Sequence, residues 1–203
     1  MIHRIAFAGP PASGKSTTLE LLRNYAHAPN VHIIFLNEVA TSFMNWPEYI
    51  ALRDDPLIRQ YYIMKTQIML EDMAMQEAVH SEKEIILIVS DRAVIDLYVY
   101  LNDDEAAKIV TDEDAEKFAD RYDHVLFFET TGETQFLSHN NPSRHEQSYS
   151  EIQEVGERTY EAWKKHSRCE MILVPPADTI EQKVNNVAQT INDVLGFEIW
   201  KIR

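Results

Sequence analysis

Short apolar runs alternate along the chain with longer segments in which apolar residues recur at helical spacing. The runs are rich in Ile, Val, Leu and Phe, which is typical of parallel strands that are covered on both faces. This alternation predicts an α/β fold, a three-layer α/β/α sandwich around a five-stranded, mostly parallel sheet. The predicted strands are Ile2–Ala8, Val31–Leu36, Glu84–Val89, His124–Phe128 and Met171–Val174.

Helix-start and helix-stop signals lie between these runs. Asp55 precedes Pro56, Ser148 and Glu151 form a capping box, and Gly196 is a stop signal. The predicted helices are Ser16–Ala26, a long helix from Pro56 to about Val79, a segment from Thr111 to about Ala119, a helix opened by Ser148, and a last helix from Asp178-Thr179 to Gly196.

The segment Thr130–Gln147 departs from both patterns. It is polar, carries Gly132 and Pro142, and has no periodicity. A stretch of this length is either a lid or binding loop or a surface loop, and composition alone does not separate the two. The chain has no internal repeat and no linker-like stretch, so we expect residues 1–203 to form a single domain with a lid at about 130–148.

Charge and composition narrow the possible partners. The chain of 203 residues has 33 acidic and 19 basic side chains and a formal net charge of -14. That balance argues against a nucleic-acid partner, because such binding depends on Lys and Arg contacts to phosphates. Cys169, the only cysteine, cannot form an internal disulfide. No apolar run approaches the ~20 residues of a membrane helix, so we expect a cytoplasmic protein with no membrane partner.

The first predicted strand leads directly into Gly-Pro-Pro-Ala-Ser-Gly-Lys-Ser, which satisfies the Walker A pattern G-x-x-x-x-G-K-[ST] in full. Glycines let the backbone wrap tightly around phosphates, and the amides of the loop and of the following helix attract anions. We therefore predict that Lys15 reaches the β- and γ-phosphates of ATP and that Ser16 holds Mg²⁺. The predicted nucleotide-binding residues are Gly9, Pro10, Pro11, Ala12, Ser13, Gly14, Lys15, Ser16 and Thr17.

Charged residues follow two other predicted strands. Asp91 can hold Mg²⁺ directly or through water, and Arg92 can bind a substrate or a transferring phosphate. The alternative for these two residues is an ion pair at the start of a helix. Glu38 is a candidate general base for a substrate hydroxyl, and its alternative is a helix-capping carboxylate. Which of Glu38 and Asp91 takes the proton stays open.

A cation over the transferring phosphate is the remaining part that phosphoryl transfer needs. The predicted lid offers Arg144, which we prefer to Arg158 because Arg158 stands in the middle of a predicted helix.

Motifs of other P-loop classes are missing or misplaced. A signalling GTPase carries a D-x-x-G switch near its second or third strand and an N-K-x-D motif that binds guanine. Here D-x-x-G occurs only at Asp193–Gly196, and N-K-x-D does not occur. ATP is therefore favoured over GTP. A compact domain with a phosphate loop, charged strand-end residues and a predicted lid is typical of a small-molecule kinase.

Several blocks of sequence resemble the AAA-type, kinase-like P-loop family related to the ribosylnicotinamide kinase domain of the bacterial NAD regulator. Besides the phosphate loop, these blocks are Asn37–Thr41, Thr66–Asp72, Ser90–Asp96, Arg121–Val125, Ser143–Glu146 and Ala162–His166. The resemblance implies that Pro175–Ala177 is a loop that contacts the base.

Deoxynucleoside kinases are more distantly similar. That resemblance implies that Glu38 is the base, that Asp91 and Arg92 handle Mg²⁺ and substrate, and that Gln67 binds the nucleobase. Val39 stands where those kinases usually have proline.

The sequence thus supports two hypotheses. The first is an ATP-dependent phosphotransferase that acts on the hydroxyl of a small molecule, a nucleoside or a ribosylnicotinamide-like compound; nucleoside triphosphate hydrolysis is also compatible with these parts. The second is a nucleotide-gated binding module in which ATP or GTP orders the lid and creates a partner surface, with little catalysis.

Overall fold

The computed structural model describes residues 1–44, 55–130 and 148–202. Its strands are β1 Ile2–Ala8, β2 Val31–Leu36, β3 Ile85–Asp91, β4 His124–Phe128 and β5 Glu170–Val174. Its longer helices are α1 Lys15–Leu22, α3 Pro56–His80, α6 Asp112–Ala119, α7 Tyr149–His166 and α8 Ile180–Leu195. The shorter ones are α2 Val39–Met44, α4 Leu97–Tyr100 and α5 Asp103–Ala106, with a 3₁₀ turn at Val94–Asp96.

The described strands form a five-stranded sheet in the order β2-β3-β1-β4-β5, and each neighbouring pair is parallel. The predicted α/β architecture is therefore confirmed, with a sheet that is wholly parallel within the described residues. The predicted bounds of β1, β2 and β4 agree with the structure, whereas β3 continues to Asp91.

Alternation along the strands divides the core between the two faces of the sheet. Phe7 packs with α1 and α8 on one face, whereas Ala6 and Ala8 belong to the cluster on the other face that includes Met64 and Trp163. Successive strand side chains point to opposite faces, so both faces of β1 are buried, as its unbroken apolar run requires.

The helix predicted as Ser16–Ala26 ends at Leu22. The amides of Asn24 and Tyr25 bond to carbonyls three residues back, at Leu21 and Leu22, so the last turn tightens and the helix stops there. The caps at Asp55, Ser148 and Thr179 accept hydrogen bonds from backbone amides as their residue types predict.

Parallel strands bring the predicted site residues to one edge of the sheet. In register, Phe7 lies beside Asp91 and Leu36 lies beside Ser90. The phosphate loop, Glu38 and Asp91 therefore all lie at the carboxyl ends of adjacent strands, where ligands of open α/β sheets bind.

Candidate functional site

The phosphate loop connects the end of β1 to the start of α1, as the sequence predicts. Gly9 has φ +123°, and a Cβ atom on it would lie 2.3 Å from the backbone oxygen of Phe128. Gly14 has φ +91° and caps α1. Only glycine adopts these conformations without strain, so both glycines of the motif are required by the backbone path.

Lys15 is buried inside the loop. Its Nζ donates to the Gly9 carbonyl at 2.9 Å, to the Pro10 carbonyl at 2.6 Å and to Ser13 Oγ at 3.1 Å. Burial lowers the pKa of Lys15 to about 7, and the nearby positive charge of Arg92 acts in the same direction. The Lys15 ammonium thus binds groups of the loop itself, and it would have to leave these partners to bind the phosphate oxygens of a nucleotide.

Asp91 is buried at the end of β3. Burial raises the pKa of its carboxyl, although Lys15 and a hydrogen bond with Ser16 oppose that rise. Asp91 Oδ1 has no hydrogen-bond partner within the part of the chain that the structure describes.

Mg²⁺ in nucleotide sites takes one or two protein oxygens and completes its octahedron with phosphates and water. The unpartnered Asp91 Oδ1 and the Ser16 hydroxyl beside that carboxyl fit this requirement. Among residues 1–44, 55–130 and 148–202, no three His, Cys, Asp or Glu side chains cluster as an all-protein metal site would require.

Arg92 joins Glu38 to the phosphate loop. Its Nη1 donates to the Gly9 carbonyl at 3.0 Å, and its Nε donates to Glu38 Oε1 at 3.3 Å. Arg92 has φ +75°, a conformation that a long side chain adopts at an energetic cost and that is common at functional sites.

Glu38 lies between the end of β2 and the start of α2. Its Oε2 accepts a hydrogen bond from the Thr41 hydroxyl at 2.6 Å. Burial alone would raise the pKa of Glu38, but Arg92, Thr41 and Lys15 together outweigh burial and lower it. Within the described residues no backbone amide of α2 bonds to this carboxylate, so the geometry does not favour the helix-capping alternative.

A second row of side chains supports Arg92. Asp96 Oδ2 lies 3.6 Å from Arg92 Nη1, and Asp96 Oδ1 accepts a hydrogen bond from Trp163 Nε1 at 2.8 Å. Both residues belong to blocks that carry the family resemblance, but sequence reasoning assigned neither a role. Their contact joins the turn after β3 to α7, the helix that follows the predicted lid.

Gln67 lies in a buried polar network on α3. Its Nε2 donates to Glu71 Oε1 at 2.7 Å, and the Tyr122 hydroxyl donates to the same oxygen at 2.7 Å. Arg121 pairs with the other oxygen of Glu71. A carboxylate only accepts, so the Gln67 amide nitrogen faces Glu71. The role of Gln67 in binding a base stays a prediction.

The predicted lid arginine, Arg144, lies outside the described residues, as does segment 131–147. Arg158 lies in the middle of α7, as the sequence predicts, and is exposed.

Sequence reasoning missed two residues that touch the phosphate loop. Lys183 on α8 donates from Nζ to the Ser13 carbonyl at 2.8 Å. A Cβ atom on Gly156 of α7 would lie 3.4 Å from the side chain of Pro10. The one sequence signal for such a contact was the glycine in the middle of a helix, because glycine permits close packing. Nothing in the sequence distinguishes Lys183 from other lysines in helices.

The strand order and the loop at the end of β1 together define a P-loop domain with a kinase-like fold. The sequence profile of the AAA domain family matches residues 4–183. The chain therefore belongs to the AAA domain family. A search of curated proteins found no significant match.

Solved structures agree on the fold. Deoxyadenosine kinase from M. mycoides, with products dCMP and a flexible dCDP bound, superposes with a TM-score of 0.57 at 13% identity, over 94% of this chain and 99% of that one. Thymidylate kinase from Ehrlichia chaffeensis gives a TM-score of 0.54 at 16% identity, over 94% and 98%. At these identities the likeness concerns the fold alone. None of the described helices is long and apolar enough to cross a membrane.

Proposed function

We propose that this protein is an ATP-dependent phosphotransferase whose acceptor is the hydroxyl of a small molecule, a nucleoside or a ribosylnicotinamide-like compound. One observation carries the proposal. Arg92 binds both the Gly9 carbonyl and the Glu38 carboxylate, so a candidate base stands at the mouth of a phosphate loop.

The chemistry assigns a task to each group. Glu38 takes the proton of the acceptor hydroxyl, whose oxygen forms a bond to the γ-phosphorus as the bond from the γ-phosphorus to the β–γ bridging oxygen breaks, leaving ADP. The pKa of Glu38 is lowered, so the carboxylate is ionised and able to accept that proton. Lys15 and Arg144 balance charge on the phosphoryl oxygens.

The other groups bind and orient. Ser16 and Asp91 would hold Mg²⁺, which supplies charge neutralisation between the β- and γ-phosphates. Arg92 and Gln67 would bind the acceptor, and Pro175–Ala177, between β5 and α8, would contact the adenine base. The fold likeness to deoxyadenosine kinase and thymidylate kinase supports a kinase of the nucleoside or nucleotide type, and the choice of a hydroxyl acceptor rests on the placement of Glu38.

The test is transfer of labelled γ-phosphate from ATP to a panel of nucleosides, ribosylnicotinamide and related alcohols, with GTP as competing donor. Glu38→Gln keeps the side-chain size and should lower turnover by about a hundredfold or more at unchanged ATP affinity. Glu20→Gln, on the exposed carboxylate that pairs with Arg23, is the matched control.

Two outcomes separate the alternatives. Full turnover in Glu38→Gln removes the base assignment and leaves Asp91 as the next candidate. Tight nucleotide binding with no phosphorylated product from any acceptor contradicts the phosphotransferase and favours the nucleotide-gated binding module.

A further inference from the structure

Lys183 lies directly beneath the phosphate loop, 170 residues along the chain from the loop residue it binds. Lys183 is 4% exposed. The ammonium donates to the Ser13 carbonyl at 2.8 Å and stands 5.8 Å from the ring centroid of Phe128, within the range of a cation–π contact. Lys183 Cδ would lie 3.5 Å from a Cβ atom on Gly14, so the stem also packs against the loop.

Burying an ammonium group has a free-energy cost. Burial lowers the pKa of Lys183, and only the negative charge of Glu129 opposes that change. An apolar side chain of similar length would fill the space without this cost. We therefore expect the amine to have a role that methionine or leucine, which have neither a hydrogen-bond donor nor a charge, could not perform.

Peptide geometry supplies that role. In a trans peptide the carbonyl oxygen and the following N–H point in opposite directions, and the described peptide bonds are trans. A Ser13 carbonyl held toward α8 therefore turns the Gly14 N–H away from α8, to the opposite side of the loop. The Gly14 amide makes no hydrogen bond within the described residues, so it is available to a phosphate oxygen.

Two packing contacts support the loop at other points. The backbone of Phe128 closes on Gly9, and α7 lies against Pro10 at Gly156. Neither contact orients a peptide group. The bond from Lys183 does, because a hydrogen bond to an ionised donor is both directional and stronger than a neutral one.

We propose that Lys183 is a positioning residue of the phosphate loop: it holds the Ser13 carbonyl on the far side of the loop, aims the Gly14 amide at the nucleotide phosphates, and places a fixed positive charge beneath them. This inference rests on the nucleotide-binding part of the proposed function and does not require phosphoryl transfer.

The experiment measures equilibrium binding of ATP and of inorganic triphosphate, which lacks base and ribose, to the full chain. Lys183→Met should weaken both ligands by the same factor, about tenfold to a hundredfold, the scale of one charge-assisted hydrogen bond. Lys183→Arg keeps the charge and a donor, so it should recover part of the lost affinity. Lys108→Met, at an exposed turn position, should bind as the wild type does.

Urea unfolding of the same variants separates positioning from a structural role. We expect Lys183→Met to be at least as stable as the wild type, because a buried charge is removed. Unchanged affinity in Lys183→Met, or weaker binding that follows a loss of stability, overturns the proposal. A wild type that binds ATP and triphosphate but transfers no phosphate contradicts the kinase and leaves the Lys183 comparison valid; a wild type that binds neither ligand overturns both.

Discussion

Removal of the Lys15 amine should stabilise the nucleotide-free protein while it abolishes nucleotide binding. Burial lowers the pKa of Lys15 from 10.5 to about 7, so the folded loop disfavours the protonated amine that the unfolded chain carries. Lys15→Met keeps an unbranched side chain of similar length and removes the ionisable group.

The magnitude follows from linkage. The difference between 10.5 and about 7 corresponds to about 5 kcal/mol at about 1.4 kcal/mol for each pH unit. Three hydrogen bonds from Nζ are lost with the amine, and each contributes about 1 kcal/mol. We therefore expect Lys15→Met to raise the free energy of unfolding at pH 7 by about 2 kcal/mol.

The effect has a defined pH dependence. Above pH 10.5 the amine is neutral in both states, and this destabilisation is absent. As pH falls from 10.5 toward 7, the unfolded chain binds a proton that the folded chain does not, so the wild type loses stability relative to the variant. The advantage of Lys15→Met should therefore fall by about 1.4 kcal/mol for each pH unit above about 7, vanish between about pH 8 and 9, and reverse at higher pH, where only the lost hydrogen bonds remain.

Urea unfolding without nucleotide or Mg²⁺, at pH 7, 8 and 9, measures this difference. The control Lys108→Met changes an exposed lysine and should stay within about 0.5 kcal/mol of the wild type. A Lys15→Met variant that is less stable than the wild type at pH 7, or whose advantage does not change with pH, would refute the reasoning.

Two further predictions concern helix α7. Trp163→Phe removes the N–H that donates to buried Asp96. The control is Trp200→Phe, because Trp200 is equally buried but its N–H has no partner within the described residues. We expect Trp163→Phe to lower the free energy of unfolding by about 1–3 kcal/mol more than Trp200→Phe does. Equal unfolding free energies for the two variants would contradict this. Gly156→Ala should raise the free energy of unfolding by about 0.5–1 kcal/mol and leave ATP affinity unchanged, because the new Cβ would meet Pro10 at an ordinary 3.4 Å. A lower free energy of unfolding or a weaker ATP affinity would show that α7 and Pro10 leave no room for the added methyl group.

Short elements mark the limit of pattern-based prediction in this chain. Helices α2, α4 and α5 span only four to six residues, and periodicity needs at least two or three turns to be visible. The acidic group Asp103-Asp104-Glu105 has no apolar periodicity, yet the structure places it at the start of α5, capped by Asn102.

The sequence alone determined the strands, the phosphate loop and the identity of Glu38, Asp91 and Arg92 as strand-end residues, because strand pattern and glycine spacing are local properties of the chain. Only the tertiary structure decided that Arg92 bridges Glu38 and Gly9, that Asp96 and Trp163 stand behind it, and that Lys183 holds Ser13. These contacts depend on strand order and on which helix covers each face. Residues up to 170 positions apart come into contact only once the sheet has formed, so a pattern among neighbouring residues does not predict these contacts.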